Sequence, residues 1–233
     1  MPRLVQRAYR AEMGFDDEDL MPPEWRIAVG YCPSEIRPRF ANALALDYRL
    51  SQIVVRTSEP MLGQMRLAWW RDMLGQAPAT RPKGDAVLDA ISHIWGDETA
   101  PLISLVDGWE HILVQPPLPQ DAAHAFAQGR IDALLHAIGP ALQSACVQAV
   151  RDAAGIWALA DLAAKVSDPG ERTMLVQLGL AMAQHQRDRL PPSARGLAVL
   201  RALGLRGLKA GGAPLMEGRS AALIAFRAAI IGR

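Results

Sequence analysis

Breaks that contain glycine or proline divide this sequence into segments of the length of single helices. Within the segments, apolar residues recur at spacings of three and four, as at Leu46, Leu50, Ile53 and Val54, which is the period of an α-helix. Runs that alternate apolar and polar residues, as a half-buried β-strand does, are only a few residues long. The pattern predicts an all-α protein, with helices at residues 35–58, 60–75, 84–95, 99–114, 119–138, 140–167, 171–189, 192–209 and 216–231.

The composition favours one helical domain. Half of the 233 residues are hydrophobic but only 6% are aromatic, and alanine and leucine dominate, which suits close packing of helices. This length supports one sizeable core. Because Pro22 and Pro23 block the continuation of a helix, we expect an N-terminal arm at residues 1–33 and a single all-helical domain at residues 34–233.

The charge and the thiols limit the partners and the compartment. The net charge is +1 and the arginines are spread along the chain, so we expect no nucleic acid partner. Cys32 and Cys146 match no zinc-site spacing, which favours reduced thiols in a cytoplasmic protein. The start lacks the apolar core of a signal peptide, and no uncharged apolar run reaches the ~20 residues of a membrane span.

The last predicted helix has two interpretations. In "RSAALIAFRAAIIGR", apolar residues cover most of the circumference and Arg227 is the only interior charge. The segment is either a buried closing helix or an amphipathic contact with a membrane surface. In the second case the protein would be peripheral to the inner membrane.

A family resemblance rests on the order of several motifs. The stretch "EPMLGQMRLAWWRDML" follows a long predicted helix and precedes "LISLVDGWEHIL", and "FAQGRIDALLHAIG", "AGIWALADLA" and "RDRLPPSARGLAVLRALGLRGL" come later. Over most of its length the chain thereby resembles the squalene/phytoene synthase family. The closer likeness is to a short, divergent branch that includes a mitochondrial complex I assembly factor. The resemblance implies a single-domain helical bundle of the isoprenoid synthase type.

The resemblance also implies a chemistry and the residues that would perform it. Synthases of this family condense two prenyl diphosphates, and acidic pairs on two facing helices hold magnesium ions against the diphosphates. Carboxylate oxygens suit magnesium, and two acids four residues apart lie on one helix face. Aligned on Arg49, the first pair falls on Gln52 and Arg56, and the second on Asp161 and Lys165.

Amide and cationic side chains therefore stand at acid-motif positions, and Asp47 nearby has no acid four residues on. We expect no catalytic residue and no cofactor, with magnesium relevant only to an enzyme. Trp69 and Trp70 would either line a prenyl cavity or pack in the core, and Arg66 would either hold a diphosphate or pair with a carboxylate. The residues predicted to bind a ligand are Arg49, Arg56, Arg66, Trp69, Trp70, Asp47 and Asp161.

The sequence leaves three functions open. The leading hypothesis is a non-catalytic synthase-like protein that acts as a binding or assembly factor. By the resemblance, its protein partner would be subunits of respiratory complex I. The first alternative is a prenyl transferase that acts on prenyl diphosphates, and the second is a module that binds an isoprenoid or other lipid.

Overall fold

The chain folds as a bundle of helices. The computed structural model describes residues 21–57, 59–113, 116–139, 142–185, 189–218 and 220–232. No β-strand occurs in these ranges, which confirms the predicted all-α class. The helices are α1 (Pro23–Tyr31), α2 (Arg37–Arg56), α3 (Pro60–Gly75), α4 (Ala86–Ile94), α5 (Ala100–Glu110), α6 (Gln120–Ile138), α7 (Val147–Ala163), α8 (Pro169–His185), α9 (Arg195–Lys209) and α10 (Ser220–Ile231).

Helix α1 lies inside the segment predicted to be an N-terminal arm. It begins at Pro23, a position where the helix does not use a backbone N–H, so the proline pair begins a helix instead of preventing one. Helix α1 packs against α9 and α2, and its Trp25 is fully buried. The described part of the predicted arm therefore belongs to the core, and residues 1–20 lie outside the described residues.

Each of the predicted helices overlaps an observed one. The largest difference in a boundary is at α7, which begins at Val147 and not at residue 140. A 3-10 turn at Ser144–Cys146 follows the extended residue Gln143 and precedes the helix. Helix α7 occupies the middle of the bundle, where it packs against α6, α8 and α9, and every residue from Ala153 to Ala163 is buried.

Glycines bring the backbones of α5 and α6 close together. A Cβ atom at Gly129 of α6 would lie 2.4 Å from the carbonyl oxygen of Ser104 in α5. A Cβ atom at Gly108 of α5 would lie 3.2 Å from the carbonyl oxygen of Ala125 in α6. These two glycines allow α5 and α6 to approach more closely than helices with side chains at the crossing.

Helix α10 has one face in the core and the opposite face in solvent. The buried face packs on α9 and consists of alanines, whereas large apolar residues are exposed. The interpretation as a buried closing helix holds for the alanine face only, and the contact with a membrane surface stays a prediction. None of the described helices is both long enough and apolar enough to cross a membrane.

Candidate functional site

Charged side chains from three parts of the chain meet in the middle of the bundle. Arg130 of α6 donates from Nη1 to Asp161 Oδ2 of α7 at 2.8 Å, and its Nε lies 3.0 Å from Asp47 Oδ2 of α2. Lys165, in the turn after α7, donates from Nζ to the same Asp161 oxygen at 2.8 Å. We call Asp47, Arg130, Asp161 and Lys165 the central ion cluster.

The cluster balances its own charge. It holds two carboxylates and two cations, and only Lys165 reaches solvent, with 43% of its side chain exposed. The side chains of Asp47, Arg130 and Asp161 are almost completely buried. Each buried charge therefore depends on a partner inside the protein, because water cannot solvate it.

Aromatic rings surround the Arg130 guanidinium. Its Cζ lies 4.5 Å from the centre of the Phe126 ring, 4.6 Å from Trp157, 5.4 Å from Trp109 and 5.7 Å from Trp25. A cation is attracted to the negative face of such rings. We call these four rings the aromatic cage, and they hold the guanidinium in the space between α2 and α7.

The cage also fixes Asp47. Trp109 donates from Nε1 to Asp47 Oδ1 at 2.6 Å. The gap between Asp47, Arg130 and Trp157, with Ala43 and Leu134 on its other sides, has no room for a water molecule. Packed side chains thus leave no open space beside Asp47 and Arg130 at this gap.

Burial and charge shift the two carboxyl groups in opposite directions. Burial raises the pKa of Asp47, and the attraction of Arg130 and the Trp109 hydrogen bond only partly offset this effect. Burial also acts to raise the pKa of Asp161, but Lys165 and Arg130 together hold it below its usual value. The two carboxylates raise the pKa of Arg130 despite its burial, so the guanidinium stays charged.

The lowered pKa of Asp161 predicts a pH-dependent contribution from Lys165. Replacing Lys165 with Met should lower the free energy of unfolding by about 1 kcal/mol at neutral pH, a modest value because the lysine is partly exposed to solvent. A carboxyl whose pKa is lowered by folding stabilises the fold above its unfolded pKa and loses this effect as the pH falls. The difference between Lys165→Met and the unchanged protein should therefore shrink below about pH 4.

Urea unfolding at several pH values measures this difference. Both proteins contain Asp47, whose pKa is raised by folding. Comparing their free energies of unfolding at the same pH therefore largely removes the contribution of Asp47 to the pH dependence. Lys83→Met is the matched control, because Lys83 is exposed and forms no ion pair with a described residue. A difference that is constant from neutral pH to below pH 4 would mean that Lys165 does not act through the Asp161 charge.

The arrangement does not fit a pair of magnesium-binding acid motifs. The residue four positions after Asp47 is Ser51, whose hydroxyl donates to the Tyr48 carbonyl oxygen at 2.7 Å. The residue four positions after Asp161 is Lys165, which already donates to that carboxylate. Arg130 stands between the two acids, where a bridging metal ion would have to be.

The predicted acid-motif positions on α2 lie away from the cluster. Gln52 is half-buried and Arg56 is exposed near the end of the helix. Gln52 is five positions after Asp47, which turns their side chains about 140° apart on the helix. Asp47, and not Gln52 or Arg56, is the residue of α2 that faces Asp161, while the predicted position Lys165 does join the cluster.

The other predicted ligand-binding residues are placed separately. Trp70 is buried, whereas its neighbour Trp69 is partly exposed, and their ring centres are 5.3 Å apart at 85°. Arg49 lies 3.6 Å from Asp85, and Arg66 is exposed with Nη1 3.5 Å from Thr57 Oγ1. In the described part of the chain, no hydrogen bond or ion pair joins Arg49, Arg66, Trp69 or Trp70 to the central ion cluster.

Arg130 and the aromatic cage are not among the residues predicted from the sequence. A sequence signal for them exists, because Phe126 and Arg130 are four residues apart, as are Trp157 and Asp161. Each pair places a ring beside a charge on one face of a helix. The pattern is weak on its own, since an arginine in an apolar helix is usually exposed.

The described residues form an all-α bundle, which is the coarse class that the resemblance implies, and the isoprenoid synthase type stays a prediction. The resemblance itself stays a prediction, based on motif order in the sequence. Comparison with family models, with curated proteins and with solved structures finds no match to this chain.

Proposed function

We propose that this chain is a non-catalytic protein of the isoprenoid synthase type that acts as a binding or assembly factor. The observation that carries the proposal is the central ion cluster, in which Arg130 and Lys165 neutralise Asp47 and Asp161. Ionising a prenyl diphosphate requires metal ions that neutralise the leaving group and a cavity for the prenyl chain. Here a guanidinium pairs with the acids and the aromatic cage fills the adjacent space.

An exposed apolar surface on α3 supports the binding role. One side of this helix is buried in the core through residues such as Leu67 and Trp70. The other side also carries large apolar residues, and exposed apolar patches of this kind mark interaction surfaces. We call this surface the α3 stripe, and it consists of Met61, Leu62, Met65 and Trp69.

The partner that we propose for the α3 stripe is a protein. By the resemblance to the mitochondrial assembly factor, the candidate partners are subunits of respiratory complex I. The thioethers of Met61 and Met65 and the ring of Trp69 suit a helix or loop surface that would otherwise be exposed in an unfinished assembly.

Deletion of the coding sequence in the source organism tests this function. We expect a lower level and activity of complex I, restored by the unchanged gene but not by Met61→Ser/Met65→Ser. The matched control is Gln64→Ser, an exposed polar position on the same helix, which should restore complex I fully. A normal level and activity of complex I in the deletion strain would remove the assembly role.

The two alternatives have direct tests with purified protein. With farnesyl or geranylgeranyl diphosphate and magnesium, we expect no squalene, phytoene or released diphosphate. Product formation that is lost in Asp161→Asn would instead establish the prenyl transferase. An isoprenoid retained in native mass spectrometry would favour the lipid-binding module and contradict a filled centre.

A further inference from the structure

We propose that α10 binds the surface of an anionic membrane, with its helix axis parallel to the surface. This inference goes beyond the proposed function, because it concerns α10 and a lipid surface, and not the α3 stripe and a protein partner. It also holds whether or not the central ion cluster is catalytic.

In α10 the small side chains are buried and several large apolar ones are exposed, which is the opposite of the pattern in a helix that only contributes to the core. Its buried positions are alanines, among them Ala221, Ala225, Ala228 and Ala229. Three of its large side chains face solvent, where Leu223 is 69% exposed, Phe226 is 52% exposed and Ile230 is 61% exposed. Ile224 and Ile231 are half-buried. A closing helix that contributed only to the core would turn these three side chains inward.

The exposed apolar residues form one continuous face. Leu223, Phe226 and Ile230 follow one another at spacings of three and four residues, so they lie within about 60° of each other around the helix. The face is opposite to the alanines that contact α9. Its large side chains are the type that enters the boundary between lipid headgroups and acyl chains.

The surroundings of this face are cationic. Arg227 is the only charged residue of α10 and is exposed beside Phe226. Arg195 and Arg37 line a groove with Ala229 and Ile230, and Arg189 donates from Nε to the Ile231 carbonyl oxygen at 2.8 Å. None of these four arginines forms an ion pair with a carboxylate of a described residue.

An anionic bilayer surface matches both properties. Its headgroup region accepts apolar side chains to a depth of about 5–10 Å. Its negative potential attracts each nearby arginine. With 12 residues, α10 is about 18 Å long, which suits a helix lying in the surface and not one crossing a core of about 30 Å. The α3 stripe has a less suitable charge, since Glu59 and Asp72 accompany Arg66 there and are also exposed.

Sedimentation of the full chain with lipid vesicles tests the proposal. We expect binding to vesicles of phosphatidylcholine with phosphatidylglycerol to be at least roughly tenfold tighter than binding to phosphatidylcholine alone. Raising the salt concentration should weaken the binding, because salt screens the arginines from the surface potential. Leu223→Ser/Phe226→Ser should abolish the binding, and Arg227→Glu should remove most of the preference for anionic lipid.

Val55→Ser is the matched control, because Val55 is as exposed as Leu223 but lies on α2. It should leave vesicle binding unchanged. Circular dichroism and urea unfolding check that each variant is folded, which is expected since the changed side chains are exposed. Equal binding to both kinds of vesicle, or unchanged binding of Leu223→Ser/Phe226→Ser, would overturn the proposal. The proposal would also be overturned if the protein bound no vesicles but self-associated, and the double variant removed that self-association.

Discussion

Replacing Arg130 with Met is expected to lower the free energy of unfolding by roughly 3–5 kcal/mol. The change removes the guanidinium and leaves the carboxylates of Asp47 and Asp161 buried close together. Lys165 still pairs with Asp161, but Asp47 keeps only the hydrogen bond from Trp109. The loss of stability should therefore come from the uncompensated charge and not from a change in side-chain volume, since methionine fills most of the space that the arginine occupies.

A triple variant separates the charge from the packing. If Asp47→Asn and Asp161→Asn are added to Arg130→Met, the buried charges disappear together. A buried asparagine amide costs less than a buried carboxylate without a partner, so most of the lost stability should return. Urea unfolding followed by circular dichroism measures all of these variants on one scale.

The control for Arg130 is another arginine that forms an ion pair. Arg151 lies 3.8 Å from Asp132, and both side chains are one-third exposed. Arg151→Met should change the free energy of unfolding by less than about 1 kcal/mol, because solvent screens the pair. If the triple variant were as unstable as Arg130→Met, then packing against the aromatic cage, and not charge balance, would be the role of Arg130.

The sequence predicts the helices better than it predicts their contacts. Spacings of three and four and the break at Glu59-Pro60 suffice to place α2 and α3, because both signals are local. The proline pair at Pro22 and Pro23 predicts a break, and α1 is therefore missing from the predicted helices, whereas Pro23 takes the first position of a helix.

The central ion cluster depends on contacts between distant parts of the chain. Helical periodicity indicates which residues share a face, but it does not indicate which helix lies opposite. Asp47 and Asp161 are far apart in the sequence, and Arg130 comes from a third helix. The alignment on Arg49 therefore predicts an acid-motif position at Gln52, although a different face of α2 turns toward the cluster.

The orientation of α10 has the same physical origin. Apolar residues surround most of this helix, so its periodicity alone allows either face to be buried. Contact with α9 determines which face is buried, because the alanine face of α10 packs against α9. The resulting exposure of Phe226 is a property of the packed pair of helices and cannot be read from α10 alone.

Replacing Gly129 with Ala should also destabilise the protein strongly, by about 3 kcal/mol. The added Cβ would lie 2.4 Å from the Ser104 carbonyl oxygen and 3.1 Å from Leu105 Cα. Both of these are backbone atoms, so no side chain can rotate to make room. Helices α5 and α6 would have to move apart, which would also separate Trp109 of α5 from Phe126 and Arg130 of α6.

Gly75→Ala is the matched control for this change. Gly75 also lies in a helix, but a Cβ atom there has no neighbour within 4 Å. Alanine restricts the unfolded chain more than glycine does, so this variant should be unchanged or stabilised by less than about 1 kcal/mol. The difference between the two variants in urea unfolding isolates the cost of the contact between α5 and α6.

The same variant tests whether the spacing of α5 and α6 positions the central ion cluster. Trp109 and Arg130 both contact Asp47, one from each helix, so separating the helices should weaken these contacts together. In a double-mutant cycle, the cost of Arg130→Met should then be smaller in the Gly129→Ala background than in the unchanged protein. If the two costs simply add, the close approach at Gly129 stabilises the helix pair without holding Arg130 in place.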